Sequence, residues 1–474
     1  MRQTPSILLL AIIGFFCAPL APINASSERP NFIIIFNDDQ GYQDLGCFGS
    51  PTIKTPRLDQ MAKDGLKLTD FYVPTSVCSP SRAALLTGYY PQRVGVSGVY
   101  FPNRPGGLDP KHVTIAETLK TVGYATAAVG KWHLGDQPRY LPTNQGFDSY
   151  FGIPYSNDMF PAKDMTYAAD CLFREGESLQ TLAEAFSGEL KRGNPMSMKD
   201  KVPLMRGTEC VEFPADQRTI TRRFADEGIK FITESVESGK PFFLYLANSM
   251  PHVPLFASED FEGKSEGGLY GDTIEEIDFN TGRVLDHLEA TGVAENTIVV
   301  FTSDNGPWLV QRDKSGSALP LFEGKFSSFE GGCRVPCIIQ WPKVIPPGSI
   351  SSEVVSTIDL YPTFSILAGV KKEDIKVDGK DIFPILSSPQ TAKSPHEYLF
   401  MGHRTEAVRS GPWKYHHSHV LTVGENRLAI QKEPILFNLE NDISETTNVI
   451  DEYPEVAARL EKKLRAHFDT VTAQ

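Results

Sequence analysis

Asn31-Phe32-Ile33-Ile34-Ile35-Phe36-Asn37-Asp38-Asp39 is an apolar run, rich in β-formers, that ends abruptly in two carboxylates. A strand with water on one face alternates apolar and polar residues, whereas a strand covered on both faces stays apolar, so this run predicts a buried strand of a parallel sheet. Segments 124–129, 241–247 and 297–301 have the same form. Each leads into polar residues: Gly130-Lys131-Trp132-His133, Met250-Pro251-His252 and Ser303-Asp304-Asn305-Gly306. Helical patterns over 114–122, 220–235 and 273–289 precede these three strands. Alternating helices and buried strands imply an α/β fold with a large, mostly parallel sheet between helices, whose ligand crevice lies beyond the strand carboxyl ends. One such cluster alone is more often a cap or turn; four on one sheet edge predict a site. In an extended segment Lys131 and His133 point the same way.

The stretch Thr75-Ser76-Val77-Cys78-Ser79-Pro80-Ser81-Arg82-Ala83-Ala84-Leu85-Leu86-Thr87-Gly88 adds a helix start to that edge. Pro80 suits a first helical position, 83–86 propagate the helix, and Gly88 ends it in the left-handed conformation. Cys78 then sits where free N–H groups and the helix dipole favour an oxyanion, with Arg82 on the same face. The plainer alternative is a helix-start thiol of depressed pKa, redox-active or inert. Asp38, Asp39, Asp304 and Asn305 offer hard oxygen ligands, which suit calcium or magnesium rather than zinc, with calcium preferred for its tolerance of irregular geometry. Arg82, Lys131, His133, His252 and Lys325 supply cationic and acid–base groups.

The 474 residues carry a formal net charge of −13, which argues against nucleic acid as a partner but not against a small anionic substrate met by local cations. The length and the 41% hydrophobic content suit a globular chain of two domains. Residues 1–25 read as a secretory signal peptide, and the apolar run 7–16 is too short to span a bilayer, so a secreted or periplasmic protein without stable membrane insertion is expected. The sequon Asn24-Ala25-Ser26 straddles the expected cleavage site and hints at a periplasm. Cys17 leaves with the signal. Cys171 and Cys210 suit a bridge closing the region between them, Cys333 and Cys337 are a bridge or two buried thiols, and Cys47 suits the core. The insert 158–216 shows no strand period and reads as loops over a pocket mouth, or else as a disordered surface excursion. Short strands at 398–401, 406–409, 413–416 and 435–438, then an amphipathic stretch over 454–467, predict a smaller α+β unit. His403, His416, His417 and His419 either reach the pocket rim from this unit or are surface strand residues of it.

Asn37-Asp38-Asp39-Gln40-Gly41-Tyr42, the Cys78 signature, Gly130-Lys131-Trp132-His133-Leu134-Gly135, Asn144-Gln145-Gly146-Phe147-Asp148, Gly152-Ile153-Pro154-Tyr155-Ser156, Met250-Pro251-His252 and Thr302-Ser303-Asp304-Asn305-Gly306-Pro307 together resemble, in order, the type I sulfatases. The likeness is nearest to the arylsulfatase A and N-acetylgalactosamine-6-sulfatase branch, and the segment 436–448 is similar to the family's C-terminal hairpin. The resemblance implies an alkaline phosphatase-like α/β sandwich over 26–381 and a C-terminal α+β subdomain with an antiparallel sheet over 382–474. It implies that a formylglycine-generating maturation enzyme converts Cys78 to formylglycine (3-oxoalanine). One Ca2+ would be held by Asp38, Asp39, residue 78, Asp304 and Asn305. Arg82, Lys131 and Lys325 would hold sulfate charge, although the surroundings of Lys325 depart from the branch. Asp304 would accept a proton from the nucleophile, His252 or Lys325 would protonate the leaving oxygen, and His133 would regenerate the aldehyde. The expected activity is hydrolysis of sulfate monoesters, by exo-desulfation of a sulfated carbohydrate, with aryl sulfates as artificial substrates. The alternatives are a phosphodiester or phosphonate monoester hydrolase of the same superfamily and a non-catalytic binder of sulfated glycans. A zinc alkaline phosphatase fits poorly, because clustered histidines are lacking.

Overall fold

A computed structural model of the chain describes residues 29–402, 406–422 and 429–472. The signal peptide, the sequon, Cys17 and His403 lie outside the described residues. The large sheet has eleven strands: β1 (Asn31–Asn37), β2 (Leu66–Leu68), β3 (Ala125–Gly130), β4 (Ser149–Gly152), β5 (Thr166–Phe173), β6 (Leu204–Arg206), β7 (Glu209–Phe213), β8 (Phe242–Ala247), β9 (Thr297–Ser303), β10 (Cys337–Gln340) and β11 (Ser349–Ser351). Their spatial order is β11-β2-β10-β9-β1-β8-β3-β4-β6-β7-β5. The centre, from β9 through β1, β8 and β3 to β4, is all parallel. β10 and β6 run antiparallel to their neighbours.

The unbroken apolar run of β1 is explained by two cores. Phe32, Ile34 and Phe36 pack into one and Ile33 and Ile35 into the other, so neither face of the strand is left for water. Helices α1 (Pro56–Asp64), α4 (Ile220–Glu237) and α5 (Gly268–Ala290) add apolar faces to the second core, including Leu58, Phe224 and Ile274. Helices α2 (Cys78–Thr87), α3 (Ile115–Thr121) and α6 (Leu360–Leu367) cover the first with Leu85, Leu119 and Phe364. The ring of Phe32 stacks on that of Phe364 at 4.3 Å. α3 begins with a capping box, in which Thr114 and Glu117 satisfy each other's backbone N–H groups.

Register decides where the polar ends fall. Asn37 of β1 lies opposite Ser303 of β9, and Ala247 of β8 lies opposite Gly130 of β3. The residues that follow these strands therefore emerge at one level. Gly130 is also a packing requirement, since a Cβ there would lie 1.8 Å from the Ala247 carbonyl oxygen.

The insert 158–216 is not a set of loops. β5, β6 and β7 lie in it and extend the large sheet, and a helix, Leu179–Ser187, follows β5. β5 is an edge strand that is largely exposed or half-buried along its length, so it carries none of the alternation that marks a half-buried strand. Cys171 and Cys210 lie on neighbouring strands as free thiols, their sulfurs 4.0 Å apart. Cys333 and Cys337 are free and buried, and Cys47 is partly buried against the second core.

A four-stranded antiparallel sheet follows: β12 (Leu399–Gly402), β13 (Glu406–Ser410), β14 (Trp413–His416) and β15 (Ile435–Asn438). Helix α7 (Pro454–Thr472) covers it, burying Leu460 and Leu464 against Val408, Tyr415 and Leu436. His467 of α7 lies flat on Phe400 at 3.9 Å and edge-on to Tyr90 at 4.5 Å. Burial, aided by nearby Arg93, pulls its imidazole down to about 3. The unfolded chain would titrate this group near its ordinary value of 6.5. The folded pKa is thus the lower one: the stability that neutral His467 contributes is present above about pH 6.5 and lost as pH falls toward about 3. Acid unfolding curves of His467→Phe, followed by circular dichroism, should lack that part of the wild-type decline between pH 6.5 and 4.

Candidate active site

α2 starts at Cys78, with Val77 in extended conformation before it, and ends at Gly88, whose φ of 71° is left-handed. Pro80 is the third helical residue rather than the first, still within the turn whose N–H groups need no intrahelical partner. All ten side chains of the helix are buried. Cys78 is 2% exposed, and burial pushes its thiol up to about 12. A reactive thiolate, the plainer reading of this residue, is therefore disfavoured.

The strand ends close around Cys78. The guanidinium of Arg82 donates to Asp304 Oδ2 from Nη2 at 2.8 Å and from Nε at 3.1 Å, and to the Lys131 carbonyl at 2.8 Å. Lys131 Nζ pairs with Asp38 and lies 3.3 Å from Ser156 Oγ. Lys325 Nζ donates to both carboxylate oxygens of Asp39, at 2.6 and 2.8 Å. Asn305 Nδ2 donates to Asp39 Oδ1 at 2.7 Å, and His252 Nε2 lies 3.6 Å from Asp39 Oδ2. Asp38, Asp39, Cys78, Arg82, Lys131, His252, Asp304, Asn305 and Lys325 are thus brought together.

His133 is buried beside them without a hydrogen bond to any. The chain turns at His133, whose φ is 60°, so the segment is not extended and the side-chain alignment expected with Lys131 does not apply. Its Nε2 lies 3.0 Å from the Tyr100 carbonyl, while Nδ1 is buried without a hydrogen-bond partner. Burial first, then Lys131 and Arg82, hold this imidazole well below its ordinary pKa, so it is neutral. Burial and then Asp38 raise the Asp304 carboxyl to about 7. Burial acts to raise Asp38 as well, yet Lys131, His252 and Arg82 outweigh it and keep the group well below the usual carboxylate range.

A cation fits this arrangement. One ligand atom from each of Asp38, Asp39 and Cys78 lies within 4.8 Å of the others. Asp38 Oδ1 and Asn305 Oδ1 are buried oxygens with no hydrogen-bond partner. Such atoms are costly unless something electropositive meets them, and apart from the Cys78 sulfur the donors are hard oxygens.

Four residues of the site were not singled out from the sequence. Ser156 stands between Lys131 and His252, and Asn157 Oδ1 lies 3.1 Å from His252 Nδ1. Tyr245 OH meets Arg82 Nη1 at 3.4 Å, and the Trp308 ring lies 5.6 Å from that of His252. Ser156 closes a quoted motif and Trp308 directly follows another, which was the available signal. Tyr245 is hidden in the apolar run of β8.

Lys325 sits in a strained loop: Glu323 and Phe326, neither of them glycine, have φ of 64° and 73°. The small sheet and its flanking loops hold this loop in place. Thr422 N–H donates to Glu323 Oε2 at 2.9 Å, Ser327 Oγ donates to the Val420 carbonyl at 2.8 Å, and Glu330 N–H donates to Glu445 Oε2 at 2.6 Å. Lys414 Nζ, fully buried, bridges Glu330 at 2.8 Å and Glu445 at 3.2 Å. His416 belongs to this network, near Ser328 and Glu445, rather than to the pocket rim. His419 stacks edge-on to Phe329, and partly exposed His417 is near Glu461.

Buried carboxylates and a helix start ringed by buried cations, at the carboxyl edge of this sheet, suit a hydrolase of anionic esters with the alkaline phosphatase-like fold. The family model described as Sulfatase matches residues 30–370, and one described as N-sulphoglucosamine sulphohydrolase, C-terminal, matches residues 320–470. Arylsulfatase A of Bos taurus is 37% identical over 475 residues, covering 94% of this chain and 89% of that protein. N-acetylgalactosamine-6-sulfatase of Sus scrofa is 36% identical over 406 residues, covering 83% and 73%. Among solved structures, the PsFucS1 sulfatase from Pseudoalteromonas sp. superposes with a TM-score of 0.80 at 29% identity, covering 94% of this chain and 91% of that one. The chain belongs to the sulfatase family and is a sulfuric ester hydrolase. No helix among the described residues is long and apolar enough to cross a membrane.

Arg82 sets the stability of this centre. Replacing it by leucine leaves Asp304 and Asp38 buried without their guanidinium, and urea titration should show a loss of about 3–5 kcal/mol. Arg82→Lys keeps the charge but not the paired donors and should lose less.

Proposed function

We propose that the chain removes sulfate from a sulfated carbohydrate by hydrolysis, with Cys78 matured to formylglycine and one calcium ion bound by Asp38, Asp39, residue 78, Asp304 and Asn305. The observation that carries this reading is the position of Cys78: at the start of a buried helix, within 4.8 Å of Asp38 and Asp39 ligand oxygens, and ringed by Arg82, Lys131 and Lys325. A carbohydrate is favoured by the structure of Ps i-CgsB bound to k-i-k-neocarrahexaose, which superposes with a TM-score of 0.75 at 31% identity and covers 92% of both chains. Domain limits of 26–381 and 382–474 and cleavage of a signal peptide near Ala25 belong to the same proposal.

In this mechanism Arg82, Lys131 and Lys325 bind the sulfate oxygens, where water is excluded and charge acts at low dielectric. Calcium, when bound, supplies further positive charge to those oxygens and to the attacking hydroxyl. Formylglycine supplies a hydrate with one hydroxyl to attack sulfur and a second whose proton loss lets sulfate depart. Asp304, a buried carboxylate held by the Arg82 guanidinium, takes the proton of the attacking hydroxyl. His252 protonates the departing oxygen; its Nδ1 is held 2.6 Å from the Val253 carbonyl, which leaves Nε2 for the transfer. His133 accepts the proton of the second hydroxyl on Nδ1, because Nε2 is turned to Tyr100 and burial keeps the ring neutral.

Mass spectrometry of the peptide containing residue 78, with kinetics of Cys78→Ala, tests the proposal. Mature protein should show the aldehyde, and the variant should lose at least about a thousandfold in rate, or about 4 kcal/mol. An unmodified thiol in fully active enzyme overturns it, and an unmodified thiol in inactive protein makes the chain a binder. For the metal, chelation should abolish turnover, and calcium added to chelated protein should raise its melting temperature more than zinc does. Asp39→Asn should remove most of that rise.

A further inference from the structure

Asn157 and Gln217 flank the insert 158–216, and both are buried, at 0% and 6% exposure. Their side chains form a run of hydrogen bonds whose direction the partners fix. Gln217 Nε2 donates to the carbonyls of Asp200 and Asn157, each at 3.1 Å, and because a carbonyl can only accept, Gln217 Oε1 is left as the acceptor of its amide. It accepts from Asn157 Nδ2 at 3.1 Å. That nitrogen also donates to the Pro254 carbonyl at 2.9 Å and to the His252 carbonyl at 3.3 Å. Asn157 Oδ1 is therefore an acceptor in its turn, 3.1 Å from His252 Nδ1. With the Val253 carbonyl 2.6 Å away as well, Nδ1 meets two acceptors and must carry a proton.

We infer that Asn157 and Gln217 are positioning residues for the reaction, acting through His252: they hold its ring with Nδ1 protonated and Nε2 turned to the leaving oxygen. The inference rests on the proposed function, in which His252 protonates that oxygen. The transfer breaks the Nε2–H bond, forms the O–H bond of the departing alcohol, and leaves a neutral ring whose one proton is on Nδ1. That is the tautomer the two carbonyl oxygens stabilise. The Val253 carbonyl alone would not fix the ring, because it belongs to the adjacent residue and moves with it. Asn157 ties both the ring and the backbone that follows it to the base of the insert, and the last acceptor of the run, the Asp200 carbonyl, lies within the insert. The insert thus supports the proton donor besides widening the sheet. The plainer alternative is a clasp that only closes the base of the insert, and a clasp would favour no ester over another.

The test uses full-length matured enzyme and two esters: an activated aryl sulfate, whose phenoxide leaves unaided, and the sugar sulfate, from a defined panel, that is turned over fastest and whose alkoxide needs a proton. The ratio of the two turnover rates is read, because it does not depend on the fraction of folded enzyme. Asn157→Ala should lower kcat on the sugar sulfate roughly ten- to a hundredfold, as loss of a partner that orients a histidine commonly does, with KM within about threefold. On the aryl sulfate its kcat should fall less than about threefold. Gln217→Ala, one hydrogen bond further from the ring, should shift the ratio in the same direction by at least about threefold, and it carries the test if Asn157→Ala does not fold. In His252→Ala protein, adding Asn157→Ala should move the ratio by less than about twofold, because the group it acts through is gone. The inference is overturned if His252→Ala shifts the ratio while Asn157→Ala and Gln217→Ala slow both esters alike, or if the effects of Asn157→Ala and His252→Ala on the ratio multiply. If His252→Ala itself leaves the ratio unchanged, the acid role given to His252 fails, and the positioning role with it.

Discussion

Three buried cations, Arg82, Lys131 and Lys325, face three buried carboxylates, Asp38, Asp39 and Asp304, and each charge is tolerable only because the others are present. An ion removed from water costs several kcal/mol even after the protein relaxes, and only close, well-directed partners return that cost. The sheet register follows from this constraint. A slip of one residue between β1 and β9 would take Asp38 and Asp304, which directly follow the paired residues Asn37 and Ser303, out of line with each other and with Arg82. The lattice is still not saturated. Asp38 Oδ1 and Asn305 Oδ1 have no hydrogen-bond partner.

Much of this was legible in the sequence because buried parallel strands leave a strong trace. β1, β3, β8 and β9 each appeared as apolar runs, and the polar residues at their ends meet in the structure. The helix of Cys78 was legible from Pro80 and Gly88. What escaped was what depends on tertiary context. β5 is an edge strand with both faces partly open, so it has no period, and the insert looked like loop. The turn at His133 depends on a left-handed backbone at a residue type that does not announce one. Tyr245 looks like any core aromatic until Arg82 is seen against its hydroxyl. His416 read as a rim or surface residue because its partners, Ser328 and Glu445, lie far from it in the chain.

The loop of Lys325 shows how the site is kept rigid. Left-handed conformations at Glu323 and Phe326 cost on the order of 1–3 kcal/mol each and persist only where the surroundings over-determine them. Glu323 is fixed by Thr422, Ser327 by Val420, and Glu330 by Glu445 and Lys414. The small sheet is therefore a brace for one ammonium group, as well as a separate packing unit with its own core.

That brace has a consequence for the order in which the molecule is made. The strands and helix that present Asp38, Cys78, Lys131, His252 and Asp304 all leave the ribosome before the residues that hold Lys325, some of which lie beyond position 440. A chain cut short before residues 414–445 would keep the other charged groups of the pocket but lose the contacts that brace the loop of Lys325.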